Sequence, residues 1–106
     1  MNSRSEWVAE LKAFTSRNAG RRTTLEVDAP ELGAQQEERG YPLRGVAYDP
    51  RDGRVEIMVG DLASVDRHLT HTLAGVTDIE VQKSHDGRDL ALLVAQGEVQ
   101  TVLKLN

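Results

Sequence analysis

Residues 42–61, PLRGVAYDPRDGRVEIMVGD, constrain the fold more than any other stretch of the chain. Two runs with alternating apolar residues, 43–49 and 54–60, flank the short Pro50-Arg51-Asp52-Gly53 segment. Proline presets its own φ, and glycine accepts the positive φ that closes a tight loop. The pattern therefore predicts a β-hairpin. On the second strand Val55, Ile57 and Val59 share one face, and Arg54, Glu56 and Met58 the other. On the first strand, alternation groups Arg44, Val46 and Tyr48 against Leu43, Gly45 and Ala47. If the small-residue face packs on a helix, Val46 and Tyr48 point elsewhere. If instead Val46 and Tyr48 line the interior of a curled sheet, Gly45 marks the place where the strand bends.

The remaining segments fit around this hairpin. Residues 3–18 read as a helix, with Trp7, Leu11 and Phe14 at i, i+4 and i+7 and Val8 beside them. Ser3 and Glu6 have capping-box spacing, with Ser5 as a competing cap, and Gly20 suits a C-terminal stop. Residues 23–28 alternate Leu25 and Val27 with polar neighbours, as a strand wet on one side does. Residues 29–41 break the pattern with Pro30, Gly33, Gly40 and a polar run, which leaves a long loop and a loosely paired strand both open. Further strands are expected at 67–73, 76–83, 89–96 and 99–105, separated by Gly75, Asp86-Gly87 and Gln96-Gly97. Apolar residues on both faces of 89–96 suggest a central strand or one covered by the helix. The expected fold is α+β: one domain over residues 1–106, with an N-terminal helix packed on a curled antiparallel meander of about seven strands, a half-barrel.

Composition narrows the function classes. The chain has 106 residues, 39% hydrophobic and 28% charged, which is ordinary for a folded domain. Net charge is −4, from 13 basic and 17 acidic residues. Both signs are interspersed, so neither a nucleic-acid surface nor attraction to an anionic membrane is expected. The absence of cysteine excludes thiol chemistry and suits a reducing compartment. No apolar run approaches the roughly 20 residues of a membrane span, so a soluble cytoplasmic protein is expected.

Several short motifs together resemble a family of small bacterial proteins known only as a domain of unknown function. They are Trp7-x6-Phe14, Thr24-Leu-Glu-Val27, Leu32-Gly-Ala-Gln35, the distinctive Pro42-Leu-Arg-Gly-Val-Ala-Tyr-Asp-Pro50, His68-Leu-Thr-His71 and the ending from Gly97 to Leu105. The resemblance spans nearly the whole chain and departs at Gly75-Val76, where it leads one to expect a proline. It implies no activity, cofactor or partner. The helix-then-meander order, with Leu43-x-Gly45-x-x-Tyr48-Asp49, also looks a little like the Sm-like RNA-binding barrels. Against that, the spacing is a residue short, the second Sm motif is missing and the charge has the wrong sign.

Candidate chemistry is thin. His68 and His71 would share a face on a helix but fall on opposite faces of the expected strand. A zinc site needs more ligands, and the nearest, Asp61 and Asp66, sit in a connector. The bland reading makes His71 a half-buried residue between Leu69 and Leu73, hydrogen-bonded through one ring nitrogen. No G-x-S-x-G, P-loop or dinucleotide fingerprint occurs. Carboxylates paired in turns, such as Asp49 with Asp52 and Asp86 with Asp89, are expected to be solvated and poor general acids. No catalytic residue, cofactor or metal is therefore assigned. The expectation is a non-enzymatic domain that binds a protein partner or a second copy of itself. Arg44, Tyr48, Met58 and His68 form its possible binding surface, Tyr and Arg being frequent at interfaces. The alternatives are a small-ligand or regulatory sensor with a pocket between helix and sheet, and an enzyme or metal site around His68, His71 and Asp61.

Overall fold

A helix and seven strands follow the order in which the sequence presents them. The computed structural model describes residues 4–31, 33–60 and 68–106. Helix α1 (Arg4–Asn18) leads into β1 (Arg22–Ala29), β2 (Gly33–Asp49) and β3 (Arg54–Gly60). Then come β4 (His68–Leu73), β5 (Asp78–Lys83), β6 (Asp89–Gln96) and β7 (Val99–Leu105). The strands form one antiparallel sheet in the order β4-β3-β2-β1-β7-β6-β5. The molecule measures 35 × 33 × 31 Å. A flat sheet of strands spaced about 4.8 Å apart would be a slab; extents this even require the sheet to curl, with its concave side filled. The ends β4 and β5 do not pair with each other, so the half-barrel stays open.

Within 29–41, residues 33–41 are strand. They supply the first part of β2, which pairs with β1 from Ala29↔Gly33 to Arg22↔Pro42. The ladder slips twice, between Thr23 and Thr24 and between Leu25 and Glu26. The first slip skips Gly40, whose φ of 82° belongs to the left-handed region that glycine enters at little steric cost. A bulged strand loses strict alternation, which is why this stretch shows no period of two.

A third slip lies between Leu43 and Gly45 on the ladder with β3, where Arg44 is the extra residue. An extra residue reverses the parity of everything beyond it. Leu43, Val46 and Tyr48 consequently all face the core, at 1%, 3% and 5% exposure. Opposite them Val55, Ile57 and Val59 fill the same face, as alternation alone predicts. The face assignment for 43–48 is thereby corrected: Leu43 joins Val46 and Tyr48 instead of opposing them.

Helix α1 closes the concave side. Trp7, Leu11, Phe14 and Asn18 form its inward stripe, all nearly or fully buried. Trp7 meets Tyr48 edge-to-face, with ring centroids 5.1 Å apart at 85°, a favoured aromatic geometry. The helix stops at Gly20 (φ 88°). The Gly20 N–H donates to the Leu43 carbonyl (2.8 Å), and the Leu43 N–H donates to that of Arg21 (2.8 Å). The serine caps lie outside the described residues or their described side chains. Val76, buried in the 74–77 connector, donates its N–H to the Gly53 carbonyl and joins the core rather than starting a strand.

Candidate functional site

Two hollows flank α1. The first is a trough between the helix and the hairpin, about 420 Å³ in volume and open to solvent. Val8, Lys12 and Thr15 form one wall, and residues 44–48 with Met58 form the other. Its surface is mostly apolar, and Val8 is one of the few large hydrophobic residues left exposed, at 42%.

The trough exists because β1 leaves β2 at Pro42. Beyond that point the edge of β2 must satisfy its peptide groups in other ways. The turn after α1 takes Leu43. At Val46 one hydroxyl does both jobs: Thr15 Oγ1 accepts from the Val46 N–H at 2.9 Å and donates to its carbonyl at 3.1 Å. Peptide groups alternate sides along a strand, so Tyr48 turns its N–H and C=O toward the same edge. Gly45 permits this approach, since a Cβ there would stand 3.3 Å from Thr15 Cγ2.

Of the four residues of the candidate surface, Arg44 and half-buried Met58 border the trough. Tyr48 reaches it only from behind, because its ring belongs to the core and its hydroxyl accepts from Arg4 Nη1 at 3.3 Å. The parity reversal at Arg44 is the reason. His68 opens β4 opposite Gly60, but its side chain is not among those described. Asp61 and Asp66 lie outside the described residues. His71 is half-buried and pairs with Ile57, between the partly buried Leu69 and Leu73. Among the described residues, no three His, Asp or Glu side chains come together as metal ligands.

The second hollow, about 400 Å³, lies at the C-terminal end of α1 and is bordered by Arg17, Asn18, Arg21, Arg88 and Asp89. Asp89, at the start of β6, is buried at 4% exposure. Its carboxylate accepts from Arg17 Nε (2.8 Å) and Nη2 (3.4 Å) and from Asn18 Nδ2 (2.7 Å). Asn18 Nδ2 also donates to the Phe14 carbonyl, while Arg21 Nη1 donates to Asn18 Oδ1 and to the Asp89 carbonyl, both at 2.9 Å. Burial pushes the Asp89 carboxyl up, but the hydrogen bonds from Arg17 and Asn18 and the Arg17 charge outweigh it. The group is held below the ordinary Asp range. A fully partnered carboxylate of low pKa is a tether, not a general acid.

Asp89 was expected in a solvated turn, and the network corrects that. One signal could have found it: Asn18 continues the Trp7-Leu11-Phe14 spacing, so a polar residue had to be buried there with partners. The neighbouring Ser84-His85-Asp86 sequence is no triad. Ser84 donates directly to the Asp86 carboxylate, and the Arg88 N–H closes the turn on both side chains. The Ser84 hydrogen bond, with that of the Arg88 N–H, lowers the Asp86 carboxyl.

Fold and site together define a small antiparallel meander covered by one helix, with solvent-facing hollows on either side of that helix. The chain belongs to the DUF5335 family, a family of unknown function whose model matches residues 2–106. No curated protein and no solved structure matches the chain. Among the described residues no helix is long and apolar enough to cross a membrane.

Proposed function

We propose that this is a non-enzymatic binding domain that takes an extended apolar segment of a protein partner, or of a second copy, into the α1–β2 trough. The supporting observation is the combination found there: exposed Val8 and half-buried Met58 stand beside a strand edge that β1 has left. Peptide recognition commonly joins main-chain hydrogen bonds at an edge to pockets for alternate side chains. The trough is open, whereas a small-molecule site encloses most of its ligand. That difference favours a protein segment over the sensor reading. A chain without cysteine suits work in the cytoplasm.

The test places a photo-crosslinking amino acid at Lys12, beside the trough, and in a second protein at Thr72, away from it. A defined adduct from the Lys12 position alone, abolished by Met58→Asp, is the expected result. Light scattering on the same proteins separates a second copy from another partner. Equal adducts from both positions, or none from Lys12, would remove the trough as the recognition surface.

A further inference from the structure

We propose that the second hollow is an oxyanion site for a phosphate or phosphomonoester group. The charge count carries the idea. Arg17, Arg21 and Arg88 border the hollow against a single carboxylate, Asp89, an excess of two positive charges in a protein whose net charge is −4. Asp89 is committed to Arg17. Neither Arg21 nor Arg88 makes an ion pair within 4 Å among the described residues, although the Arg88 charge also acts on Asp86 in the neighbouring turn. A cationic excess of this size in an acidic protein matches a dianion, and a phosphomonoester carries about −1.5 to −2 at neutral pH.

The geometry is pre-organised for that task. The Arg21 guanidinium is fixed by two bonds through Nη1, to Asn18 Oδ1 and the Asp89 carbonyl, so Nε and Nη2 remain for a ligand. Arg17 is held on its side by the buried Asp89 carboxylate, itself anchored by Asn18. Arg88 sits where the Ser84–Arg88 turn is locked by its own N–H bonds. Planar guanidinium forks match the oxygens of a phosphate bidentately, and fixing those of Arg17 and Arg21 beforehand lowers the ordering cost on binding. At about 400 Å³ the hollow has room for the group together with part of whatever carries it.

The experiment is a chemical-shift titration of the whole chain, following the Gly87 and Arg88 amides and the arginine Nε–H signals. Inorganic phosphate is one arm and O-phosphoserine the other, each exchanged against chloride at constant ionic strength. Saturable shifts confined to the hollow are expected, weakening as pH falls through the second ionisation of each probe, near about 6 for phosphoserine and about a unit higher for inorganic phosphate. Tighter binding of phosphoserine would assign the site to esters, and equal or weaker binding to the free ion. Arg88→Gln removes an exposed side chain that makes no hydrogen bond or close ion pair among the described residues, and should weaken binding about tenfold, as should Arg21→Gln. Non-saturating shifts, or affinity unchanged in Arg88→Gln, would overturn the proposal.

Discussion

Replacing Asp89 with alanine tests the tether that joins the end of α1 to the start of β6. Breaking a buried ion pair costs about 3–5 kcal/mol when the surviving charge stays buried. Here the survivor is less penalised, because the Arg17 side chain is 44% exposed and regains water. Asn18 also keeps one of its two Nδ2 bonds, the 2.9 Å bond to the Phe14 carbonyl. The expected loss is therefore about 2 kcal/mol, or about 10 °C in Tm for a domain of this size. Urea unfolding followed by the fluorescence of Trp7, buried at 2% exposure, measures it directly. The pH dependence carries a definite sign. The folded carboxyl titrates below its ordinary value of 3.8. Its contribution is complete above that value and disappears as pH falls through the lower folded one. The gap between wild type and Asp89→Ala should thus be full at neutral pH and shrink in strong acid. A loss under about 0.5 kcal/mol would refute the tether. A gap that does not change with pH would show that the carboxylate charge is irrelevant to it.

Other expectations follow from the helix and its seat. Phe14→Ala and Trp7→Ala each empty a buried site and should cost about 3–5 kcal/mol in urea unfolding followed by circular dichroism, which does not depend on the single tryptophan. Gly45→Ala pushes a methyl to 3.3 Å from Thr15 Cγ2, and a loss of about 1–2 kcal/mol is expected by thermal melting. Thr15→Val removes both hydrogen bonds at Val46 while keeping the side-chain volume; about 1–3 kcal/mol should be lost. Short RNA should produce no salt-sensitive mobility shift at physiological ionic strength, since nothing in the charge balance supplies the counterion release such binding needs.

Much of the fold was legible because its signals were local. The 3.6-residue spacing of Trp7, Leu11 and Phe14 and the alternation of Val55, Ile57 and Val59 each fix a buried face without reference to partners. What alternation cannot report is an extra residue. The slips at Gly40 and Arg44 depend on how β2 serves two neighbours, β1 before Pro42 and β3 after it. That is information about the sheet, not about any short window. The Asp89 network was hidden for a related reason. An aspartate next to an Asp-Gly turn looks solvated until α1 lays Arg17 and Asn18 against it, some seventy residues distant in sequence.

The bulge at Arg44 links the fold to its most accessible apolar surface. By adding one residue it turns Val46 and Tyr48 inward, where Tyr48 meets Trp7 and helps seat the helix. Gly45 then faces Thr15, and the helix comes close enough for one hydroxyl to cap the β2 edge at Val46. A Cβ at position 45 would crowd Thr15 Cγ2 at 3.3 Å and press on that cap. With Leu43 in the core, a strand without the extra residue would turn Val46 and Tyr48 away from it. The stacked demands of a bulge, a glycine and a threonine hydroxyl at one place exceed what closing a half-barrel requires, since β1 could have continued along β2 and covered the edge with ordinary ladder bonds. Because the β1 ladder reaches no further than Pro42, Val8 and Met58 stand beside a β2 edge that no described strand covers and that α1 and the turn after it cap at Leu43 and Val46. That arrangement is why the trough, rather than the histidine strand, carries the functional reading.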